Sequence, residues 1–410
     1  MPVIWSVTGL TAAADKRSFA MRMGSFYAAL FVVIGASMAY LPSWLVSKSF
    51  GPAEIGWIAA APTLLRLFLT PAIAFFADRT GGHARVIIAL AATAAVALIL
   101  VTGQSGFWAI LILNAVVQLS LQAMMPLVET IAMRGVKYGG LDYGRMRLWG
   151  SLSFVLATYA CGMLVERLGV GVVVWFLLAG VGGTFVTGIL LPRGTSALQA
   201  SGVASAPVTS ARADFIATVR LITSPALLWF LLASGAVQAA HALFYTFGVV
   251  HWRSLGLSSA WIGSLWAISI AVEMLLFAGS AALIRKFGVW NLVALGAAAS
   301  VVRWTAMAFN PSLPWLVLLQ LLHAVTYAGT HIGAMHFIRD NVPEAQAGMA
   351  QAINVTLTTG LMMGLAQVLA GQTYDRYGGL SYLGMAAVAG FGLSIALWQK
   401  RRPVVLSPTM

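Results

Sequence analysis

Cys161-Gly162-Met163-Leu164-Val165-Glu166-Arg167-Leu168-Gly169 closes one apolar run with an acid, a base and a glycine. Ala370-Gly371-Gln372-Thr373-Tyr374-Asp375-Arg376-Tyr377-Gly378 closes another in the same way, with every matched position 209 residues on (371 − 162 = 209). Ile55-Gly56 and Ile262-Gly263, each opening a further apolar run, lie 207 apart (263 − 56 = 207). Two matches at nearly one offset read as a weak parallel repeat between two halves of the chain.

Working outward from these motifs, twelve apolar segments approach the ~20 residues that cross ~30 Å of hydrocarbon at 1.5 Å per residue. They fall at 24–46, 55–77, 86–102, 107–132, 148–166, 170–191, 225–250, 260–284, 288–309, 314–338, 349–371 and 380–398. The expectation is an all-α membrane protein of twelve transmembrane helices in two pseudo-symmetric six-helix bundles. Residues 1–191 form the first half and 225–410 the second. Residues 192–224, with Gly194-Thr195-Ser196 and the small, aperiodic run from Ser201 to Pro207, read as a cytoplasmic linker between them.

Composition agrees. Hydrophobic residues make up 60% and charged residues only 9%, against about 25% charged in soluble domains. A soluble core cannot hide that much apolar surface, so lipid is the outer solvent. The single Cys161 rules out a disulfide framework. Asp15, Lys16, Arg17 and Arg22 precede an apolar run long enough to span, which therefore stays as the first helix instead of being a cleaved signal.

With both termini in the cytoplasm, 18 of the 24 Lys and Arg fall on the cytoplasmic side. Lys48, Arg167, Arg253 and Arg376 fall outside, and Arg66 and Arg303 lie within spans. This split is the positive-inside rule for an inner-membrane, multi-pass protein. It also accounts for the net charge of +13 without nucleic acid, since the cations are scattered over loops and tails.

A charged side chain at the bilayer centre costs about 2.5–3.5 kcal/mol on insertion scales, so such residues face a partner or a water-filled path. Four lie in span interiors: Arg66, Glu129, Glu273 and Arg303. Arg66 and Glu273 occupy equivalent places in the repeats (273 − 66 = 207). Two readings stand: fixed ion pairs that lock helices, or charges that exchange partners in a central cavity. Polar stripes at helical spacing surround them. Gln118, Gln122, Met125 and Glu129 mark the fourth span, and Gln238, His241 and Tyr245 the seventh. Gln320, His323 and Tyr327 mark the tenth, and Gln351, Asn354 and Thr358 the eleventh. Such stripes serve as interhelical hydrogen bonding or as cavity lining. His323 and His331, eight residues apart, should sit about 80° apart on an α-helix and so not share a face. No metal site is expected, and no cofactor.

One further stretch is distinctive: Asp142-Tyr143-Gly144-Arg145-Met146-Arg147-Leu148-Trp149-Gly150-Ser151, leading into the fifth span. With His241-Ala242-Leu243-Phe244-Tyr245, Leu265-Trp266 followed by Glu273, Val301-Val302-Arg303-Trp304 and Leu322-His323, it carries a resemblance. Over nearly its whole length the chain resembles the phenylpropionate permease branch of the major facilitator superfamily, close to the oligosaccharide/proton symporters. Asp78-Arg79-Thr80-Gly81 looks like a degenerate copy of that superfamily's cytoplasmic signature, with Ala74 where a Gly is usual and Gly82 and His83 in place of basic residues. The resemblance implies a cytoplasmic gate loop at Asp78 and Arg79. It implies substrate binding by Glu129 and Arg147 with Phe154 stacking nearby, and proton machinery at Glu273, Arg303 and His323. Two positions depart from the symporters: Thr326 stands where they carry the protonating glutamate, and Gln320 where they carry a lysine.

These readings combine into a proton-coupled uptake carrier working by alternating access, with substrate and protons as its partners. The substrate residues are Glu129, Arg147, Phe154, Gln122, His241 and Tyr245. The coupling residues are Glu273, Arg303, His323 and Arg66. The resemblance favours an aromatic carboxylate, held by a charge-assisted hydrogen bond from an arginine. A sugar or nucleoside symporter and a drug/proton antiporter are the rivals. An enzyme would need an ordered catalytic set, and His336 with Asp340 have no nucleophile beside them.

Overall fold

A chain in hydrocarbon must satisfy its backbone polar groups within each segment, which leaves helices for these apolar runs. The computed structural model describes residues 13–192 and 224–401. The expected linker lies almost wholly outside them. Among the described residues every regular element is helical. The first six are α1 (Ala13–Ser47), α2 (Pro52–Thr80), α3 (His83–Thr102), α4 (Phe107–Gly139), α5 (Tyr143–Leu168) and α6 (Val172–Ile189). Then come α7 (Pro225–Ala239), α8 (Ala242–Ser254), α9 (Ser259–Ala278), α10 (Ser280–Phe287) and α11 (Val289–Met307). The tenth crossing joins α12 (Leu313–His323) to α13 (Thr330–Asn341) through the π-helical segment Ala324–Gly329. The eleventh joins α14 (Glu344–Asn354) to α15 (Met363–Tyr377) through a second π-helical segment, Val355–Met362. The last helix is α16 (Tyr382–Lys400).

Among the described residues, eleven helical stretches are long and apolar enough to cross a membrane. The last of them, Gln346–Lys400, has 55 residues and is broken by the 3-10 turn Gly378–Ser381, so it supplies two crossings. The outer faces are apolar: Phe68 is 76% exposed, and Trp108 and Leu275 72% each. In water so many exposed large apolar side chains would drive association; in lipid they are the solvated surface.

Helix ends differ from the hydropathy boundaries where charges extend a helix beyond the hydrocarbon. Helix α4 runs past Arg134 and Lys137 to Gly139, then stops at Gly140 in the left-handed conformation (φ 62°). Helix α5 starts earlier than its apolar run because Asp142 caps it, accepting from the Arg145 N–H at 3.2 Å.

Backbone contacts sort into two compact units. The first holds Met1–Phe50, Leu65–Pro207 and Ser258–Gly263. In it α1 packs along α5 and α6, and α3 along α4 and α6. Small residues let these helices approach: a Cβ at Gly24 would lie 2.7 Å from Trp149, and one at Gly35 2.9 Å from the Phe154 carbonyl. The start of α9 is held in this unit by Ser259, whose N–H donates to Glu166 (2.7 Å) and whose carbonyl accepts from the Tyr40 hydroxyl (3.0 Å).

The second unit holds Gly51–Leu64, Val208–Leu257 and Ser264–Met410. At one end Phe230 stacks on Phe337 (4.0 Å between centroids, 9°) with Trp290 edge-on, joining α7, α11 and α13. Toward the other end His251 bridges the Tyr374 hydroxyl (3.1 Å) and Asn310 (2.8 Å). The glycines of the sequence repeat sit at close crossings: in this unit a Cβ at Gly56 would lie 2.9 Å from Gly371 Cα, and in the first unit one at Gly263 would lie 3.0 Å from Tyr159 Cα. A side chain at either position would crowd the facing backbone.

Candidate functional site

In the first unit the motif that opens α5 builds one polar cluster. Asp142 is spent on the helix cap and on Arg145 (3.6 Å), both exposed. Tyr143, the first helical residue, donates its hydroxyl to Glu129 on α4 (3.3 Å). One turn on, the Arg147 guanidinium lies 4.1 Å from the centre of the Phe31 ring and 5.5 Å from that of Tyr27, both on α1. These are cation–π distances. Gly150 makes the room, since a Cβ there would meet Arg147 at 3.0 Å and Phe31 at 3.1 Å. Arg147 and Glu129 form no direct ion pair, and Arg147 Nη1 is buried without a hydrogen-bond partner.

The other residues expected here take different places. Phe154 is buried against α1 at Gly35, and the ring beside Arg147 is Phe31 instead. Gln122 accepts from Arg66 (3.0 Å) and Gln118 donates to Ser37 (2.6 Å). Part of the α4 stripe is thus interhelical hydrogen bonding. Asp78 binds His83 at 2.8 Å across the turn between α2 and α3, where Gly81 takes φ 60°, while Arg79 is exposed.

In the second unit Arg303 is the centre. It is fully buried, and among the described residues no carboxylate lies within ion-pairing distance of it. Its Nη2 donates to Gln320 (2.9 Å), and its Nη1 to His323 Nδ1 (2.9 Å) and Thr326 (3.4 Å). Phe244 and Trp304 face the guanidinium at 4.8 and 4.4 Å. Both departures from the sugar symporters, Gln320 and Thr326, are therefore neutral acceptors in the shell of this cation. Arginine can only donate, so His323 Nδ1 must accept and the ring proton sits on Nε2. That nitrogen lies 3.5 Å from Glu273 Oε2, so His323 bridges the buried cation to the acid.

His241 occupies the break between α7 and α8, with Nδ1 2.9 Å from the Val237 carbonyl and Nε2 3.0 Å from Thr326 Oγ1. Tyr245 packs beside it at 5.5 Å between ring centres. Thr326 Oγ1 also lies 3.0 Å from the His323 carbonyl, so its single proton serves one of two acceptors. Ser269, not singled out from the sequence, donates to Gln320 at 2.8 Å. Its signal was its place four residues before Glu273, on the same helical face.

One expectation is corrected. His323, Tyr327 and His331 do share a face: successive rings stack at 5.7 Å (13°) and 6.3 Å (3°). The π-helical segment Ala324–Gly329 carries more residues per turn than an α-helix, so positions four apart come into line.

The family model described as the MFS_1 like family matches residues 20–383. The probable 3-phenylpropionic acid transporter of Escherichia coli (strain K12) is 28% identical over 375 residues, covering 88% of this chain and 93% of that protein. The maltose permease of Geobacillus stearothermophilus is 26% identical over 399 residues, covering 95% and 96%. Among solved structures, the nucleoside transporter NupG superposes with a TM-score of 0.79 at 18% identity, covering 93% of this chain and 98% of that one.

Proposed function

The chain belongs to the MFS_1 like family and is a secondary transporter of small organic solutes by alternating access, not an enzyme; from that premise we propose that it carries a neutral, hydroxylated solute of sugar or nucleoside type together with a proton. The observation that carries this reading is the cluster that opens α5, where Glu129 accepts from Tyr143 and Arg147, one turn on, lies over the Phe31 and Tyr27 rings with no ion pair to Glu129. A hydroxyl donates to a carboxylate and accepts from a guanidinium, so neighbouring hydroxyls satisfy both. A carboxylate solute drawn to Arg147 meets the like charge of Glu129. Phe31 offers an apolar face beside the pair. Relatives named for maltose and nucleoside transport support the same class.

Proton coupling falls to Glu273, the only acid among the described residues of the polar cluster around Arg303. With Glu273 ionised, His323 donates to it while accepting from Arg303; with Glu273 protonated, the cluster gains one positive charge. The two states differ by one charge in a desolvated place, the condition for a conformational equilibrium that responds to a proton.

An aromatic carboxylate is the second reading. It is favoured by the 28% identity to the 3-phenylpropionic acid transporter and by the unpartnered Arg147 Nη1 against Phe31. Uptake of radiolabelled uridine, maltose and 3-phenylpropionate into proteoliposomes decides between them. The proposal expects accumulation of a hydroxylated compound; uptake of 3-phenylpropionate alone would replace it with the second reading.

A further inference from the structure

His331 lies within the tenth crossing and is an ionisable side chain that the cluster around Arg303 leaves unused. The π-helical segment Ala324–Gly329 brings it into line with His323 behind the ring of Tyr327. Its ring runs parallel to that of Tyr327 (6.3 Å, 3°) and stands edge-on to Phe277 of α9 (5.8 Å, 81°). Phe277 follows Glu273 by one turn, so α9 sets Glu273 against His323 and Phe277 against His331. Among the described residues no protein group hydrogen-bonds the His331 nitrogens. An imidazole at this depth is tolerated where it meets a polar partner or water.

His331 opens on a cavity of about 30 Å³ within the second unit. Tyr327 of one π-helical segment and Thr358 of the other both line it, as do Ser234, Gln238 and Asn354. π-Helical turns are rare and gather at functional sites. The wall mixes donors and acceptors. Gln238, 5% exposed, donates to the Tyr327 carbonyl (3.3 Å), and its Oε1 is buried with no partner. Ser234 and Thr358 donate to carbonyls of their own helices (3.0 and 2.7 Å), which leaves their oxygens as acceptors. Asn354 and His331 bring N–H donors. A water needs ~10–15 Å³ and two to four such partners, so the space takes about two of them. Among the described residues no Asp, Glu, Lys or Arg lines it, and His331 is the side chain there suited to take up a proton and give it back.

We infer that His331 and the water of this cavity form the proton's route between Glu273 and the Asn341 end of the second unit. The inference rests on the reading of Glu273 as the coupling acid and adds where its proton goes. Rings stacked face to face do not hydrogen-bond each other, and a proton moves across contacts of ~2.6–3.2 Å, so water beside Tyr327 carries it. Protonated Glu273 gives up its proton along that water, and a His331 nitrogen takes one. Glu273 becomes a carboxylate and His331 an imidazolium, so their total charge is unchanged. His331 then releases a proton to water on its far side and returns to the neutral form. Ala334, further along α13, lines the same cavity and sets that far side toward Asn341.

The test is uptake by the full chain in proteoliposomes of whichever of uridine, maltose and 3-phenylpropionate accumulates, with an enclosed pH dye reporting proton movement. His331→Phe keeps a ring between Tyr327 and Phe277 but carries no proton. It should slow uphill accumulation and proton movement about tenfold or more, with the apparent KM held within about twofold. His331→Ala should slow both similarly, and added imidazole, a diffusible proton carrier small enough for the space vacated, should restore most of the rate. His331→Gln, polar and similar in size, takes the place of a variant that does not reach the membrane. A normal rate in His331→Phe would reduce His331 to a packing ring, and losses that imidazole does not repair would make it structural. Either result overturns the route and leaves Glu273 as the coupling acid. Accumulation by the unaltered protein without proton movement would overturn both.

Discussion

Arg303 is a fully buried cation, held by Gln320, His323 and Thr326 and two aromatic faces. Removing one partner from a buried charge typically costs 3–5 kcal/mol, so the acid that reaches this shell through His323 controls it. Glu273→Gln fixes the uncharged form of that acid. Exchange between equal pools of solute should continue, while uphill accumulation is lost; a Gln variant that still accumulates solute with normal proton uptake would make Glu273 a structural partner only. At the other cluster Arg147 stacks its planar guanidinium on Phe31, which a lysine ammonium does not reproduce. Arg147→Lys should raise the apparent KM about tenfold or more at unchanged protein level, and Glu129→Ala should abolish accumulation. Unaltered affinity in both variants would remove the pair from the site. Glu129, Glu273, Arg303 and His323 were readable as candidates because charge and imidazole are costly in lipid, whereas Arg147 entered only through the family resemblance. Phe31 and Tyr143 were not readable, since an aromatic ring in an apolar helix carries no such signal.

At the scale of the element, hydropathy marked where the crossings lie but not where helices end or change pitch. The Asp142 cap is one such end: it starts α5 inside a charged stretch and thereby aims Tyr143 at Glu129 and Arg147 at Phe31. An N-cap is worth about 1 kcal/mol. Asp142→Ala should lower the midpoint of thermal unfolding in detergent by a few degrees, and Asp142→Ser should recover most of the loss. An unchanged midpoint for Asp142→Ala would show that the start of α5 is set by packing alone. The π-helical segments were illegible for a different reason. Ala324–Gly329 and Val355–Met362 are small, apolar and threonine-containing, like the α-helical turns beside them. Only the hydrogen-bond register separates the two, and it moves His331 into line with His323 through Tyr327.

For the whole molecule, we propose that both chain ends lie in the cytoplasm, as an even number of crossings together with the cation bias of the sequence would have it. A reporter fused after residue 402 should therefore be active only in the cytoplasm; activity outside would contradict the proposed orientation. The central claim is that a neutral solute travels with a proton, and it has an electrical consequence. Such a cycle carries one net positive charge, whereas a monovalent carboxylate with one proton carries none. An inside-negative potential of 100 mV supplies about 2.3 kcal/mol per charge, close to a fiftyfold gradient. The direct measurement is uptake by proteoliposomes under an imposed potassium-diffusion potential with equal pH on both sides. The account predicts that the potential alone drives accumulation of the hydroxylated solute. Accumulation that follows an imposed pH gradient but ignores the potential would contradict it.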